Sequence, residues 1–209
     1  MLIVALTGGI ATGKSVVTKI LKDLGCYIHY ADKIAHQFME PEKLVWKKIV
    51  SHFGKEILNP DKTINRLKLG SIVFAREQDR NFLNKLIHPL VLEKKKKTIE
   101  KLKNESHYKI FVSEAALTIE SGFTDFFDKI IVVYCKKEIQ IKRLKERDNI
   151  SRKEALKKIR TQMLPKEKLK YANYIIDTSG SLRHTAEQTE QVFRSLMLDY
   201  EKKCGTRKK

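Results

Sequence analysis

One octet near the amino terminus constrains this chain more than any other stretch: Gly8-Gly9-Ile10-Ala11-Thr12-Gly13-Lys14-Ser15. It satisfies the Walker A pattern G-x-x-x-x-G-K-[ST], with Gly8, Gly13, Lys14 and Ser15 at the specified positions. Before it, Leu2 to Leu6 is a short apolar run, partly β-branched, suited to a parallel strand covered on both faces. After it, Ile20, Leu21 and Leu24 recur at helical spacing, and Gly25 stands where a helix would stop. Strand, glycine loop and helix in that order is the setting in which this pattern forms a phosphate cradle.

The residue types follow from that task. Glycines let successive backbone N–H groups turn inward around a phosphate, where a Cβ would obstruct the approach or the dihedrals. A helix starting at Lys14 adds its amino-terminal partial positive charge at the same point. Lys14 is expected to reach the β- and γ-phosphates, and the Ser15 hydroxyl to ligate Mg2+. The plainer reading, a glycine-rich turn before an ordinary helix, leaves the strand and helix context unexplained. The octet points to a nucleoside triphosphate.

Composition sets wider bounds. A chain of 209 residues suits one domain, with room for an insertion and a substantial core. Lys and Arg number 43 against 25 Asp and Glu, a formal charge of +18 that suits an anionic partner. Much of the excess lies in helical stretches such as Glu93 to Lys97 and in the end Arg207-Lys208-Lys209, where surface lysines need serve only solubility. Cys26, Cys135 and Cys204 are far apart, without metal-ligand or disulfide spacing, as expected in a reducing cytoplasm. Cys26 and Cys135 lie in strand-like runs and are expected in the core. No apolar run approaches the roughly 18 residues needed to span a bilayer, and the amino-terminal run has no basic leader.

Taken in order, Cys26 to Tyr30 reads as a second strand ending at Ala31-Asp32. Strand ends line the ligand crevice of open α/β sheets, so Asp32 is placed to orient an acceptor hydroxyl or take its proton. It is equally suited to cap a helix from Lys33 to Phe38. Residues 41 to 104 read as helical, over Leu44 to Phe53, Arg66 to Phe74 and Glu77 to Leu102, with a turn at Asn59 to Lys62. Pro89, after His88, should end or kink the last of these. Lys109 to Val112 and Ile130 to Tyr134 are strand-like, and a helix over Glu138 to Arg147 carries Arg143 and Arg147 one turn apart. Ser151 and Glu154 form a capping-box pattern, opening a helix with Lys158, Arg160 and Gln162 that should stop near Pro165. Two basic helices with a short hinge suit a lid that keeps water from the γ-phosphate, or else a salt-bridged hairpin. Asn173 to Asp177 is a last strand and Leu182 to Tyr200 a last helix, with fraying expected from Glu201.

Several further stretches resemble one family of P-loop small-molecule kinases, the dephospho-coenzyme A kinases. They are Leu6 to Ile10 leading into the octet, Ala31-Asp32, Arg66 with Val73-Phe74, and Leu83-Asn84 with Ile87-His88-Pro89-Leu90. Glu120, Gln140 with Arg143-Leu144 and Arg147, Gln162, and Ala172 to Asp177 follow in family order. The resemblance implies an α/β fold: a parallel-sheet P-loop kinase core, a helical acceptor-binding insertion and a helical lid. As one kinase domain over 1–209, the core would be 1–40, 105–140 and 172–200, the insertion about 41–104 and the lid about 141–171.

The resemblance further implies transfer of the γ-phosphoryl of ATP to the ribose 3′-hydroxyl of dephospho-coenzyme A, giving coenzyme A and ADP. Gly8, Gly9, Ile10, Ala11, Thr12, Gly13, Lys14, Ser15 and Val16 would hold ATP with Arg143 and Arg147, and Ser15 would hold Mg2+. Asp32, Lys14 and Arg147 would be catalytic, and Asp32, His88 and Glu120 would lie on the acceptor side. A cytoplasmic monomer or weak homo-oligomer is expected, without membrane or nucleic-acid partners. The chain departs from the family pattern at Tyr30, where a second Asp is common, at Ala116 to Thr118, where Pro-Leu-Leu is usual, and at Lys158, where the lid has Arg. Competing readings are a P-loop kinase for a nucleoside, a nucleoside monophosphate or shikimate, a nucleic-acid-stimulated NTPase, and a kinase fold without activity.

Overall fold

The Leu2 to Leu6 run becomes β1 (Leu2–Gly8), the middle strand of a five-stranded parallel sheet. The computed structural model describes residues 1–105 and 107–205, without the side chain of Phe74. The basic end Arg207 to Lys209 lies outside the described residues. Two units divide the chain, Met1–Tyr30 with Ile99–Lys209, and Ala31–Thr98.

In the first unit the other strands are β2 (Tyr27–Tyr30), β3 (Ile110–Glu114), β4 (Lys129–Tyr134) and β5 (Tyr174–Asp177), in the order β2-β3-β1-β4-β5. Alternation along β1 explains why its sequence is apolar throughout. Leu2, Val4 and Leu6 face one side, packing with Val17 and Leu21 of α1 (Lys14–Asp23) and with Val192 and Leu196 of α9 (Leu182–Gly205). Ala5 faces the other side with Ile119, Ile130 and Val132. A sheet covered on both faces has no polar face to write into its strands.

α1 ends as Gly25 forecast. Gly25 takes φ +93°, its N–H donates to Lys22 O at 3.0 Å, and Cys26 N–H donates to Leu21 O at 2.9 Å. That is the paired closure of a Schellman turn, which needs a residue at ease in the left-handed region. Cys26 and Cys135 are buried, and burial alone pushes the Cys26 thiol up to about 12.

The second unit begins where β2 stops. It holds α2 (Ala31–Phe38), α3 (Leu44–Phe53), α4 (Arg66–Ala75) and most of α5 (Glu77–Glu105). Its core gathers Val45, Ile49 and Phe53, one turn apart on α3, with Ile57, Ile64, Leu69, Val73 and Ile87. Pro89 does not end α5, which runs through it for 29 residues. A proline removes one N–H and crowds one carbonyl; here Leu86, Ile87, Leu90 and Val91 are packed on both sides of it, and tertiary contact keeps the helix going.

Returning to the first unit, α6 (Lys137–Asp148) and α7 (Arg152–Arg160) are joined at Asn149, which caps α6 in the left-handed region, and at Ser151, which makes both bonds of the capping box with Glu154. α7 is shorter than its pattern suggested and leaves Gln162 outside, while Pro165 opens α8 (Pro165–Leu169) instead of closing a helix. α9 continues past Glu201 to Gly205, where Lys203 pairs with Asp128.

α8 carries a buried cation. The Lys168 side chain is 2% exposed and its ammonium lies 2.8 Å from Glu120 Oε1, donating also to Ala116 O at 2.7 Å. Glu120 in turn accepts Met163 N–H at 3.1 Å. Because the charge is buried, removing one partner matters more than the pair does. Glu120→Gln should lower stability by about 3–5 kcal/mol, whereas Glu120→Gln with Lys168→Met should recover most of that loss. Urea unfolding of the two variants checks this, and an equal loss in both would contradict it.

Candidate active site

The phosphate motif sits where β1 meets α1, at the carboxyl edge of the sheet. Gly8 pairs in register with Val133 of β4. A Cβ at Gly8 would lie 2.3 Å from Val133 O, so no other residue fits there. At the far end of the loop Gly13 takes φ +89° and ψ 18°, immediately before Lys14 opens α1. Val16 N–H donates back to Gly13 O at 3.0 Å, the first turn of that helix. Between the glycines, Ala11 adopts φ +57°, a region L residues seldom enter and alanine enters only when its surroundings hold it there.

The loop is braced by its own side chains and by three elements behind it. Thr12 Oγ1 donates to Gly9 O at 2.9 Å, and Lys14 Nζ donates to Gly8 O and Gly9 O at 3.0 and 3.1 Å. Thr178, directly after β5, donates its hydroxyl to Thr12 O at 2.7 Å. Arg143 of α6 donates to Thr178 Oγ1 at 3.0 Å and to Thr178 O at 2.7 Å. Arg143 thus reaches the loop through Thr178. Ile10 N–H donates to Gln162 Oε1 at 2.7 Å, and Ile10 O accepts from Gln140 Nε2 at 2.7 Å.

Arg147, one turn beyond Arg143, is engaged with Asp148 through Nε at 2.7 Å and Nη2 at 3.3 Å. Lys158 of α7 donates to the same carboxylate at 2.7 Å. The two cations hold the Asp148 carboxyl down at about 2, so the bridge between α6 and α7 stays charged throughout the neutral range. At Lys158, where the family pattern has Arg, a point charge suffices for this contact. Ala116, another departure, contributes its carbonyl, which accepts from Thr7 Oγ1 at 3.2 Å and from Lys168. A backbone acceptor is indifferent to the side chain there.

In the second unit Asp32 is the second residue of α2, exposed and inside the first turn rather than before it. His36 follows one turn later; burial and the Arg66 charge push its pKa down, with Asp32 opposing. His88 is half-buried on α5, and burial with the Lys95 charge keeps it neutral at pH 7. Lys95 is itself buried, which brings its ammonium down to about 8.

Of the residues singled out in sequence, Gly8 to Val16 and Arg143 come together in one first-unit cluster. Glu120 belongs to the Lys168 pair, Arg147 to the α6–α7 bridge, and Asp32 and His88 to the second unit. Thr178, Gln140 and Gln162 carry contacts that the sequence did not explain. Gln140 had a readable signal: it shares the buried stripe of α6 with Ile141 and Leu144, where a polar side chain needs a partner.

A cation would have an oxygen donor here. Ser15 is exposed at the first turn of α1, and among the described residues no group of three His, Cys, Asp or Glu could hold a metal. One hydroxyl suits Mg2+, which keeps waters and takes the rest of its ligands from substrate phosphates.

Relatives agree with the geometry. The family model described as dephospho-CoA kinase matches residues 2–184. The chain is 44% identical over 186 residues to the dephospho-CoA kinase of Carboxydothermus hydrogenoformans, covering 89% of this chain and 90% of that one. The solved dephospho-CoA kinase of Campylobacter jejuni superposes with a TM-score of 0.65 at 32% identity, covering 93% and 96% of the two chains. The structure of TT1252 from Thermus thermophilus reaches a TM-score of 0.78 at 24% identity, covering 95% and 97%, and speaks for the fold alone. A parallel-sheet kinase core carrying this loop, together with a match over nearly its whole length, makes this chain a member of the dephospho-CoA kinase family.

Proposed function

We propose that this chain transfers the γ-phosphoryl group of ATP to the ribose 3′-hydroxyl of dephospho-coenzyme A, releasing coenzyme A and ADP. The observation that carries the reading is the loop itself: a glycine-bounded turn between a central parallel strand and a helix amino terminus, in a chain of this family. In the transfer the acceptor oxygen bonds to the γ-phosphorus, the bond from that phosphorus to the β,γ-bridging oxygen breaks, and ADP keeps the bridging oxygen. The hydroxyl proton goes to a base.

Little covalent assistance is needed, so the residues act by alignment and charge. Gly8 to Val16 hold the phosphates, chiefly through main-chain N–H groups other than those of Ile10, Thr12 and Val16, which donate to Gln162 Oε1, Gly9 O and Gly13 O. Lys14, whose ammonium rests on the carbonyls of Gly8 and Gly9, exchanges them for β- and γ-oxygens. Ser15 holds Mg2+, which when bound neutralises phosphate charge. Arg143 fixes the back of the loop through Thr178. Arg147 supplies charge from the lid side; Asp148 takes two of its five N–H donors. Asp32 aligns the acceptor hydroxyl and accepts its proton, with His88 and Glu120 also on the acceptor side. The family pattern supports these acceptor assignments. A cytoplasmic setting, a monomeric or weakly self-associating chain and no nucleic-acid partner complete the reading, with three free thiols in support of a reducing compartment.

The test is an ADP-release assay with Mg2+ and ATP across dephospho-coenzyme A, nucleoside monophosphates and shikimate. Turnover should be confined to dephospho-coenzyme A; turnover on another acceptor alone would overturn the assignment. Asp32→Ala should leave ADP affinity nearly unchanged and lower kcat by on the order of 10²-fold or more. Near-normal kcat in that variant removes Asp32 from the chemistry. Lys14→Ala should weaken both nucleotide binding and turnover, and unchanged values of both would contradict the loop's role.

A further inference from the structure

Two glutamines outside the phosphate motif grip one of its residues, Ile10, one at its N–H and the other at its carbonyl. Gln162, beyond the end of α7, accepts Ile10 N–H at 2.7 Å, and Gln140 of α6 donates to Ile10 O at 2.7 Å. The backbone fixes the polarity of each bond, because an N–H can only donate and a carbonyl can only accept. Gln140 is 3% exposed, so its amide has no water to fall back on.

Gly9 stands against this pair. The motif allows any residue there, yet a Cβ at Gly9 would lie 2.8 Å from Gln140 Nε2 and 3.3 Å from Thr12 Cγ2. Gly9 is not among the positive-φ residues, so glycine serves there for space rather than for its dihedrals. Next to the gripped residue comes Ala11 at φ +57°, which an alanine keeps only where its neighbours leave no other choice.

We infer that Gly9, Gln140 and Gln162 form a backbone clamp on Ile10, in which the two glutamines are positioning residues that set the orientation of the phosphate loop for phosphoryl transfer. The clamp rests on the reading of that loop as the ATP site. It holds Ile10 so that Ala11 turns left-handed and the amides after it converge. It also ties the loop to α6 and to the segment after α7, so both are anchored to the main chain of Ile10.

The test exploits the opposite polarity of the two bonds. Gln140→Glu and Gln162→Glu add the same charge beside the main chain of the same residue, but only the second keeps an acceptor facing an N–H. Gln140→Glu sets a carboxylate against a carbonyl. In the full-length protein, kcat/KM for ATP should be roughly tenfold or more lower in Gln140→Glu than in Gln162→Glu, with KM for dephospho-coenzyme A equal in both. Gln140→Glu should regain activity as pH falls from about 8 to about 6, since a protonated carboxyl again donates to Ile10 O. Gln162→Glu should gain nothing from that change. Equal losses, the reverse order, or parallel pH profiles would overturn the clamp.

A cycle provides an independent check. Gly9→Ala displaces the Gln140 amide, so Gly9→Ala, Gln140→Ala and the double variant should lose the same factor; additive losses would overturn the clamp. Thermal melts establish that each variant is folded. ADP affinity by calorimetry reads the clamp without an acceptor, with Gln140→Glu again the weaker binder. Failure of the unaltered protein to phosphorylate dephospho-coenzyme A would refute the acceptor assignment, while the ADP affinities would still decide the clamp.

Discussion

No side chain fits at the end of the central strand. The Val133 carbonyl lies where a Cβ of Gly8 would go, so β1 can run into the loop only through a glycine. That close approach lets the strand stop deep in the sheet and turn straight into α1, whose amino terminus opens at Lys14. A phosphate at that amino terminus would meet the positive end of the helix dipole and backbone N–H groups already fixed in place.

Holding such a turn is a separate problem, because Ala11 and Gly13 both take left-handed dihedrals within three residues. The surrounding structure solves it with hydrogen bonds to main-chain atoms, added to the packing of Ile10 and Ala11 against Ile141, Leu144 and Ala155. Thr178 and Arg143 secure Thr12 O, Gln140 and Gln162 secure Ile10, and the loop's own Thr12 and Lys14 secure Gly8 and Gly9. These partners come from α6, from the segment after α7 and from the segment after β5, all far along the chain. The sheet order β2-β3-β1-β4-β5 makes this possible, since it places β4 beside β1 and β5 beside β4. The segments leaving the carboxyl ends of β4 and β5 therefore arrive behind the loop.

The sequence was readable where local chemistry decides structure. The apolar runs of β1 and β4 announce buried strands by composition alone, the Gly25 helix stop and the Ser151–Glu154 capping box have their partners within a few residues, and each is found in place. Reading fell short where distant packing outweighs local preference. Pro89 does not end α5, which is held on both sides of it, and α9 continues beyond Glu201. The phosphate loop was legible as a motif, but its bracing was not. Gln140 and Gln162 are 130 and 152 residues from Ile10, and nothing in their neighbourhoods names that residue. Lys168 and Glu120, 48 residues apart, are equally silent in sequence because an ion pair has no periodicity.

The convergence of loop amides on a phosphate is most directly tested by amide-resolved nuclear magnetic resonance of the 15N-labelled protein titrated with ADP. The account predicts that the largest shifts fall on the N–H groups of Gly13, Lys14, Ser15 and Val16, with new protection from hydrogen exchange at Gly13, Lys14 and Ser15. Saturable ADP binding that leaves those amides unmoved, with the largest shifts at another part of the chain, would contradict it.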